Sequence, residues 1–227
     1  MQFSFRLILG SLLFFSFLSS ARASEHASQG TPDAATALGW LKNGNRRYVH
    51  RTFRADGHTL EHRRSLEKGQ HPHSIVLSCA DSRVPAENIF DQVEGEIFVT
   101  RVAGEALDTS VIASLEYAVE HLGPQLIVVL GHTHCGAVKA AIASDAKNAG
   151  SPALNALVGD IKPRLKAITP KTQTPDLHAE SLLNAKGIAA DLSQRSQILA
   201  HAVKAGKLSI VPALYDIASG VVNFENQ

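Results

Sequence analysis

The chain has two thiols, and both stand among residues that could do chemistry with them. Cys79 lies in "SCADSRVP" (Ser78 to Pro85), and Cys135 lies in "GHTHCGAV" (Gly131 to Val138). His132 precedes Cys135 by three residues, while Asp81 and Arg83 follow Cys79 at alternating positions. Two thiolates and one imidazole make a Cys2His set, and three protein ligands with one open corner is a common way to hold catalytic zinc. Other assignments compete with this one: a Cys79–Cys135 disulfide, His134 as the ligand with His132 idle, or His132 as a hydrogen-bonded loop residue. With 11 histidines in the chain a lone His says little, but one tied by spacing to one of only two cysteines says more. In an extended segment Asp81 and Arg83 would point to the face that Cys79 occupies. There Arg83 could grip Asp81 with two parallel hydrogen bonds and fix it beside a metal, although "DSR" also suits a surface ion pair of little energetic worth.

These residues need rigid elements beneath them. "HSIVLSC" and "QLIVVLG" read as short buried strands ending at Cys79 and just before His132, and "CGAVKAAIASDAK" reads as a helix starting at Cys135. "EIFVTRV" from Glu96 and the helical "DTSVIASLEYAVEHLG" from Asp108 lie between them. Alternating strand and helix predicts an α/β fold, a central and mostly parallel β-sheet flanked by helices. Ligands of such sheets bind beyond the carboxyl ends of the strands, where Cys79 and His132 are expected. A thiol at a helix N-terminus, as Cys135 would be, is pushed toward thiolate. Upstream, "TPDAATALGWLKNGNRRYVH" predicts an amphipathic helix with Thr31 as N-cap and Pro32 at its first position, and "LEHRRSLEKGQ" a charged one. Residues 154–168 and 177–205 have helical period, and "KLSIVPALYD" with "GVVNFE" predicts a last strand and a terminal hairpin.

The first residues bear on the compartment. One Arg, the apolar "LILGSLLFFSFL" and the small-residue "SSARA" predict a cleavable signal peptide over residues 1–23. As a membrane anchor the run falls short of the ~20 residues a span needs. Residues 24–30 are expected to be a flexible N-terminus and 31–227 a single catalytic domain, placed in the periplasm or secreted. A formal charge of +1, with both signs spread along the chain, gives no reason to expect nucleic acid, or a membrane after cleavage, as partner.

"CADSRVPAE" followed by "GHTHCGAV" resembles the β-class carbonic anhydrases, whose zinc motif is Cys-x-Asp-x-Arg with a later His-x-x-Cys. The likeness extends through "NGNRRYV", "GEIFVTRVAG", "SLEYAVEHLG" and "PALYD". It implies one zinc ion per subunit on Cys79, His132 and Cys135, with Asp81 and Arg83 as the adjoining catalytic pair. It also implies that Gln70, Phe98 and Tyr117 bind substrate, partly across the interface of a homodimer or homotetramer. The activity implied is reversible hydration of carbon dioxide to bicarbonate and a proton by zinc-hydroxide attack. Two positions depart from the family pattern. Where many members have Arg-Asn-x-x-Asn, this chain runs from Arg101 to Glu105, so a charge could enter the pocket. Where members with a non-catalytic bicarbonate site carry a Trp, this chain has Val76, with Ser78 in place of a glycine, which suggests a permanently open site with Asp81 held by Arg83. Competing readings are hydrolysis of carbon disulfide or carbonyl sulfide on the same scaffold, a non-catalytic zinc-binding protein, and a thiol redox protein.

Overall fold

The computed structural model describes residues 31–144 and 146–225; the expected signal peptide (1–23) and flexible N-terminus (24–30) lie outside them. The strands are β1 (Ser74–Ser78), β2 (Ile97–Arg101), β3 (Leu126–His132), β4 (Ser209–Tyr215) and β5 (Val222–Phe224). The helices are α1 (Ala34–His50), α2 (Leu60–Ser65), α3 (Ala86–Ile89), α4 (Thr109–Tyr117), α5 (Gly136–Ala143), α6 (Pro152–Ile161), α7 (His178–Arg195) and α8 (Gln197–Lys204). The strand order is β2-β1-β3-β4-β5. The first four strands run parallel, and β5 returns antiparallel against β4.

Every residue of β1 and β3 is buried because helices cover both sides of the sheet, which is why these strands read as continuous apolar runs. Successive side chains serve opposite layers. Val76, Val128 and Val211 pack with Leu41 of α1 and with Ile89 and Phe90 at the end of α3. Ile75, Leu77, Ile127 and Val129 pack with Leu115 of α4, Ile188 of α7 and Leu199 of α8. A third cluster, around Val138 of α5 and Ile161 of α6, carries Cys79 and Cys135 on its margin. Each fully buried aliphatic side chain contributes about 1.5–3 kcal/mol.

Several elements differ from the sequence expectation for local reasons. Helix α1 is capped by Asp33, whose Oδ1 accepts from Thr36 N at 2.7 Å, so Thr31 and Pro32 both precede the cap. The charged stretch supports only the six residues of α2, capped by Thr59. The periodic stretch 177–205 divides at Ser196, whose hydroxyl accepts from Leu199 N at 3.1 Å and donates to Glu116 Oε1 at 2.6 Å. A serine able to cap a new helix competes with continuing the old one. The 154–168 stretch begins earlier, behind the Ser151 cap, and tightens into a 3₁₀ turn over Lys162–Leu165, where Pro163 lacks an amide hydrogen.

Helix α1 lies close against α3. A Cβ on Gly44 would sit 1.7 Å from the carbonyl oxygen of Phe90, and the neighbouring Asn45 donates to Ile89 O and Gly220 O while accepting from Val222 N. These contacts give the "NGN" of the sequence a structural use. Gly44→Ala is expected to destabilise the fold by about 3 kcal/mol or more, since backbone and not a flexible side chain must move. Thermal unfolding would show this as a midpoint lowered by roughly 2–4 °C per kcal/mol.

Candidate metal centre and its carboxylate pair

The sheet changes its direction of growth between β1 and β3: β2 adds on one side of β1, while β3 and then β4 add on the other. Helix α3, which leads to β2, packs on one face, and α4, which leads to β3, packs on the opposite face. The diverging connections leave a crevice beyond the strand ends. Cys79 follows the last residue of β1, His132 ends β3, and Cys135 is the N-cap of α5. Ser78 of β1 is in register with Leu130 of β3, so Cys79 and His132 emerge side by side.

The ligand atoms of Cys79, His132 and Cys135 lie within 4.8 Å of one another, and all three residues are buried. His132 Nδ1 donates to the carbonyl of Thr133 at 2.8 Å, which directs the lone pair to Nε2. Nε2 has no partner although the residue is wholly buried. A buried unpartnered nitrogen beside two free thiols fits a four-coordinate divalent ion with one open position. His134 is exposed and stands outside this cluster, so of the two histidines in "HTH" it is His132 that faces the sulfurs.

The two thiols are pushed in opposite directions. Cys79 is pushed well below the usual thiol range by the hydrogen bond from Cys135, against the opposing effect of burial and with help from His132 and the Gly104 and Asp81 amides. The Gly104 amide donates to Cys79 Sγ at 3.3 Å. Cys135, as donor to its neighbour, is pushed up, and burial pushes it further. A divalent ion would allow both sulfurs to be thiolates.

Asp81 and Arg83 come together through a turn and not through an extended segment. Val84 N donates to Asp81 O at 3.0 Å, and Arg83 N donates to Asp81 Oδ1 at 3.0 Å. Side-chain Nε and Nη2 of Arg83 then donate to Oδ1 and Oδ2 at 2.9 and 2.7 Å. The carboxylate edge stands 3.9 Å from His132 Nε2. The Arg83 hydrogen bonds hold the Asp81 carboxyl well below the usual carboxylate range. Sequence reasoning gave no role to Arg101, which donates to the carbonyls of Cys79 at 3.0 Å and Asp81 at 2.6 Å and so pins the backbone between them. The signal was a charged Arg at the end of a strand that carries no other charge.

Gln70, Phe98 and Tyr117 lie on other elements than the cluster. Gln70 is exposed ahead of β1, and Phe98 is in register with Ile75, near the start of the strand whose far end leads to Cys79. The Phe98 ring lies 6.4 Å from that of Tyr117, which is about half exposed. Glu105 is 1% exposed and adopts φ +53, with Oε2 3.4 Å from Asn184 Nδ2 and Oε1 unpartnered. Burial, and secondarily the Cys79 charge, pushes its carboxyl well above the ordinary range, which favours a neutral acid over the charge its residue type suggested. Val76 and Ser78 are buried within β1.

A carbonic anhydrase family profile matches residues 74–222. Carbonic anhydrase 2 of Mycobacterium tuberculosis is 37% identical over 83% of this chain and 92% of its own length. The carbonic anhydrase of Mycolicibacterium smegmatis is 35% identical over 86% of this chain and 96% of its own. Among solved structures, the Coccomyxa β-carbonic anhydrase in complex with acetazolamide superposes with a TM-score of 0.65 at 27% identity, covering 82% of this chain and 85% of that one.

Because the folded carboxyl of Asp81 is depressed, its ion pair with Arg83 contributes stability above the unfolded carboxyl pKa of ~3.9 and loses it as pH falls toward the lower folded value. In a carboxyl-carbon NMR titration Asp81 is expected to stay ionised from neutrality down to about pH 4. A midpoint at or above that value would contradict the Arg83 clamp.

Proposed function

From the premise that the chain belongs to the β-class carbonic anhydrases, and is an enzyme, we propose that it hydrates carbon dioxide reversibly on a zinc ion held by Cys79, His132 and Cys135. When bound, zinc there supplies the Lewis acidity that makes water a competent nucleophile at neutral pH. The two thiolates cancel the formal charge of the ion, so this ligand set needs more help from its surroundings than a set of neutral imidazoles. Asp81 supplies it. As a carboxylate it accepts a hydrogen bond from the attacking water and turns a lone pair toward the substrate carbon. Arg83 keeps Asp81 ionised and aimed, because both carboxylate oxygens are bonded to its guanidinium. That pair of hydrogen bonds also supports the reading of a site held open, with Asp81 turned to Arg83 and not to the metal.

The observation that carries this proposal is the unpartnered, wholly buried Nε2 of His132, set between two free thiols and 3.9 Å from a carboxylate locked by arginine. Phe98 is in register with Ile75, near the start of β1 and away from the strand end that leads to Cys79, which is compatible with a homodimer or homotetramer in which Gln70, Phe98 and Tyr117 complete the pocket of a neighbour. Export to the periplasm, or release beyond it, belongs to the same proposal and rests on the apolar run and small-residue boundary of residues 1–23. No helix among the described residues is long and apolar enough to cross a membrane.

Stopped-flow hydration assays with metal analysis test the roles separately. Asp81→Asn is expected to keep zinc and lose activity by roughly 10–100-fold, the usual effect of removing a partner beside a metal site. Full activity in that variant would remove Asp81 from the chemistry. Cys79→Ser is expected to lose both metal and activity. Retention of stoichiometric zinc there would show that another group holds it.

A further inference from the structure

The His132–Cys135 loop is held by a second structure that sequence reading left unused. His134 adopts φ +57, a left-handed conformation uncommon outside glycine, and its amide donates to the carbonyl of Asp176. Next to Asp176, Leu177 also adopts φ +57, so a non-glycine residue in that conformation stands on each side of one hydrogen bond. Such conformations persist only where the surroundings over-determine them, and they cluster at functional sites. Leu177 is anchored, since its side chain is 4% exposed within the apolar cluster that includes Cys135. The rest of the turn is anchored by Glu180 of α7, which is 1% exposed. Its Oε1 accepts from Thr174 N at 2.7 Å and its Oε2 from Thr174 Oγ1 at 2.6 Å. On the other side of the same loop residue, the carbonyl of His134 accepts from Arg83 Nη2 at 3.3 Å, the nitrogen that also grips Asp81.

We propose that Glu180 is a positioning residue for the Asp81–Arg83 pair, acting through the Thr174–Leu177 turn and the His134 peptide. The path consists of identifiable contacts. A buried carboxylate bonded to both the amide and the hydroxyl of Thr174 fixes the turn. The turn presents the Asp176 carbonyl to the His134 amide and so fixes the orientation of that peptide. The loop in turn presents the His134 carbonyl to Arg83 Nη2, the same nitrogen that bonds Asp81 Oδ2. Glu180 touches neither the candidate ligands nor the pair directly, so a shape-conserving change there should loosen the pair without stripping metal. The proposal rests on the reading of Asp81 and Arg83 as functional, and its test separates the two.

The test is a double-mutant cycle on the zinc-loaded, full-length enzyme with Glu180→Gln, Arg83→Ala and the pair of changes together, followed by carbon dioxide hydration, zinc content and amide hydrogen exchange. Gln keeps the shape but sets an amide group against one of the two Thr174 donors, so the clamp weakens while the fold is retained. Thr174→Val, which removes the hydroxyl alone, is the companion variant should Glu180→Gln fail to fold. Glu180→Gln is expected to lower kcat by roughly tenfold with KM little changed and zinc retained, the lower end of what outer partners of a metal site contribute. The His134 amide should exchange faster than in the unaltered enzyme. In the Arg83→Ala background the same change should cost no more than about twofold, because the path it acts through is already cut. An equal factor in both backgrounds, unchanged exchange at His134, or loss of zinc from Glu180→Gln would each overturn the role given to Glu180. Full activity in Arg83→Ala alone would instead overturn the reading of the pair on which the role depends.

Discussion

A wholly buried imidazole nitrogen with no hydrogen-bond partner, facing two buried thiols, is a costly arrangement for a folded chain to keep. Among the described residues His132 Nε2 has no hydrogen-bond partner, and the Thr133 carbonyl fixes the tautomer so that the lone pair points into the cluster. The two buried sulfurs sit close enough to push each other's acidity in opposite directions, Cys79 down and Cys135 up. A divalent ion relieves all three groups at once. The surrounding structure can be understood as the means of keeping these atoms together and of placing one ionised carboxylate beside them.

Convergence of residues 79, 132 and 135 follows from the sheet. Parallel strands bring their carboxyl ends to the same edge, and β1 and β3 are neighbours at the point where the connections diverge to opposite faces. Direction alone does not fix side chains to within a few ångströms. The fixing falls to groups at the strand ends: Arg101 on the carbonyls of Cys79 and Asp81, the Gly104 amide on Cys79 Sγ, and Ile217 N on Thr133 Oγ1. On the far side, the Asp176 carbonyl holds His134. Asp81 and Arg83 are thus set by a turn whose own backbone is bonded in place.

The α/β class was legible because β1 and β3 are buried on both faces and carry unbroken apolar runs, and because α4 and α5 begin at Asp108 and Cys135, recognisable starts. The clustering of Cys79, His132 and Cys135 was legible because chain-local spacing, His132 to Cys135, reported on a loop. Elements whose limits depend on one capping side chain were harder to place. Asp33 outcompeted Thr31, and Ser196 divided a stripe that periodicity alone would continue. The face of Asp81 and Arg83 was anticipated on the wrong geometry, since alternation suggested an extended segment and the chain instead turns through the Asp81 side chain. Side-chain contacts outside the regular elements left no signal. Nothing in the composition of α7 indicates that Glu180 reaches back to Thr174, and Glu105 looked like a pocket charge until the fold placed it in the interior.

X-ray absorption at the zinc edge on the purified enzyme tests the central claim most directly, because it reads the ligand atoms themselves. Two sulfur scatterers and one imidazole are expected, with the remaining position filled by a light atom. A spectrum without sulfur, or protein that carries no metal and has Cys79 and Cys135 joined to each other, would contradict the account.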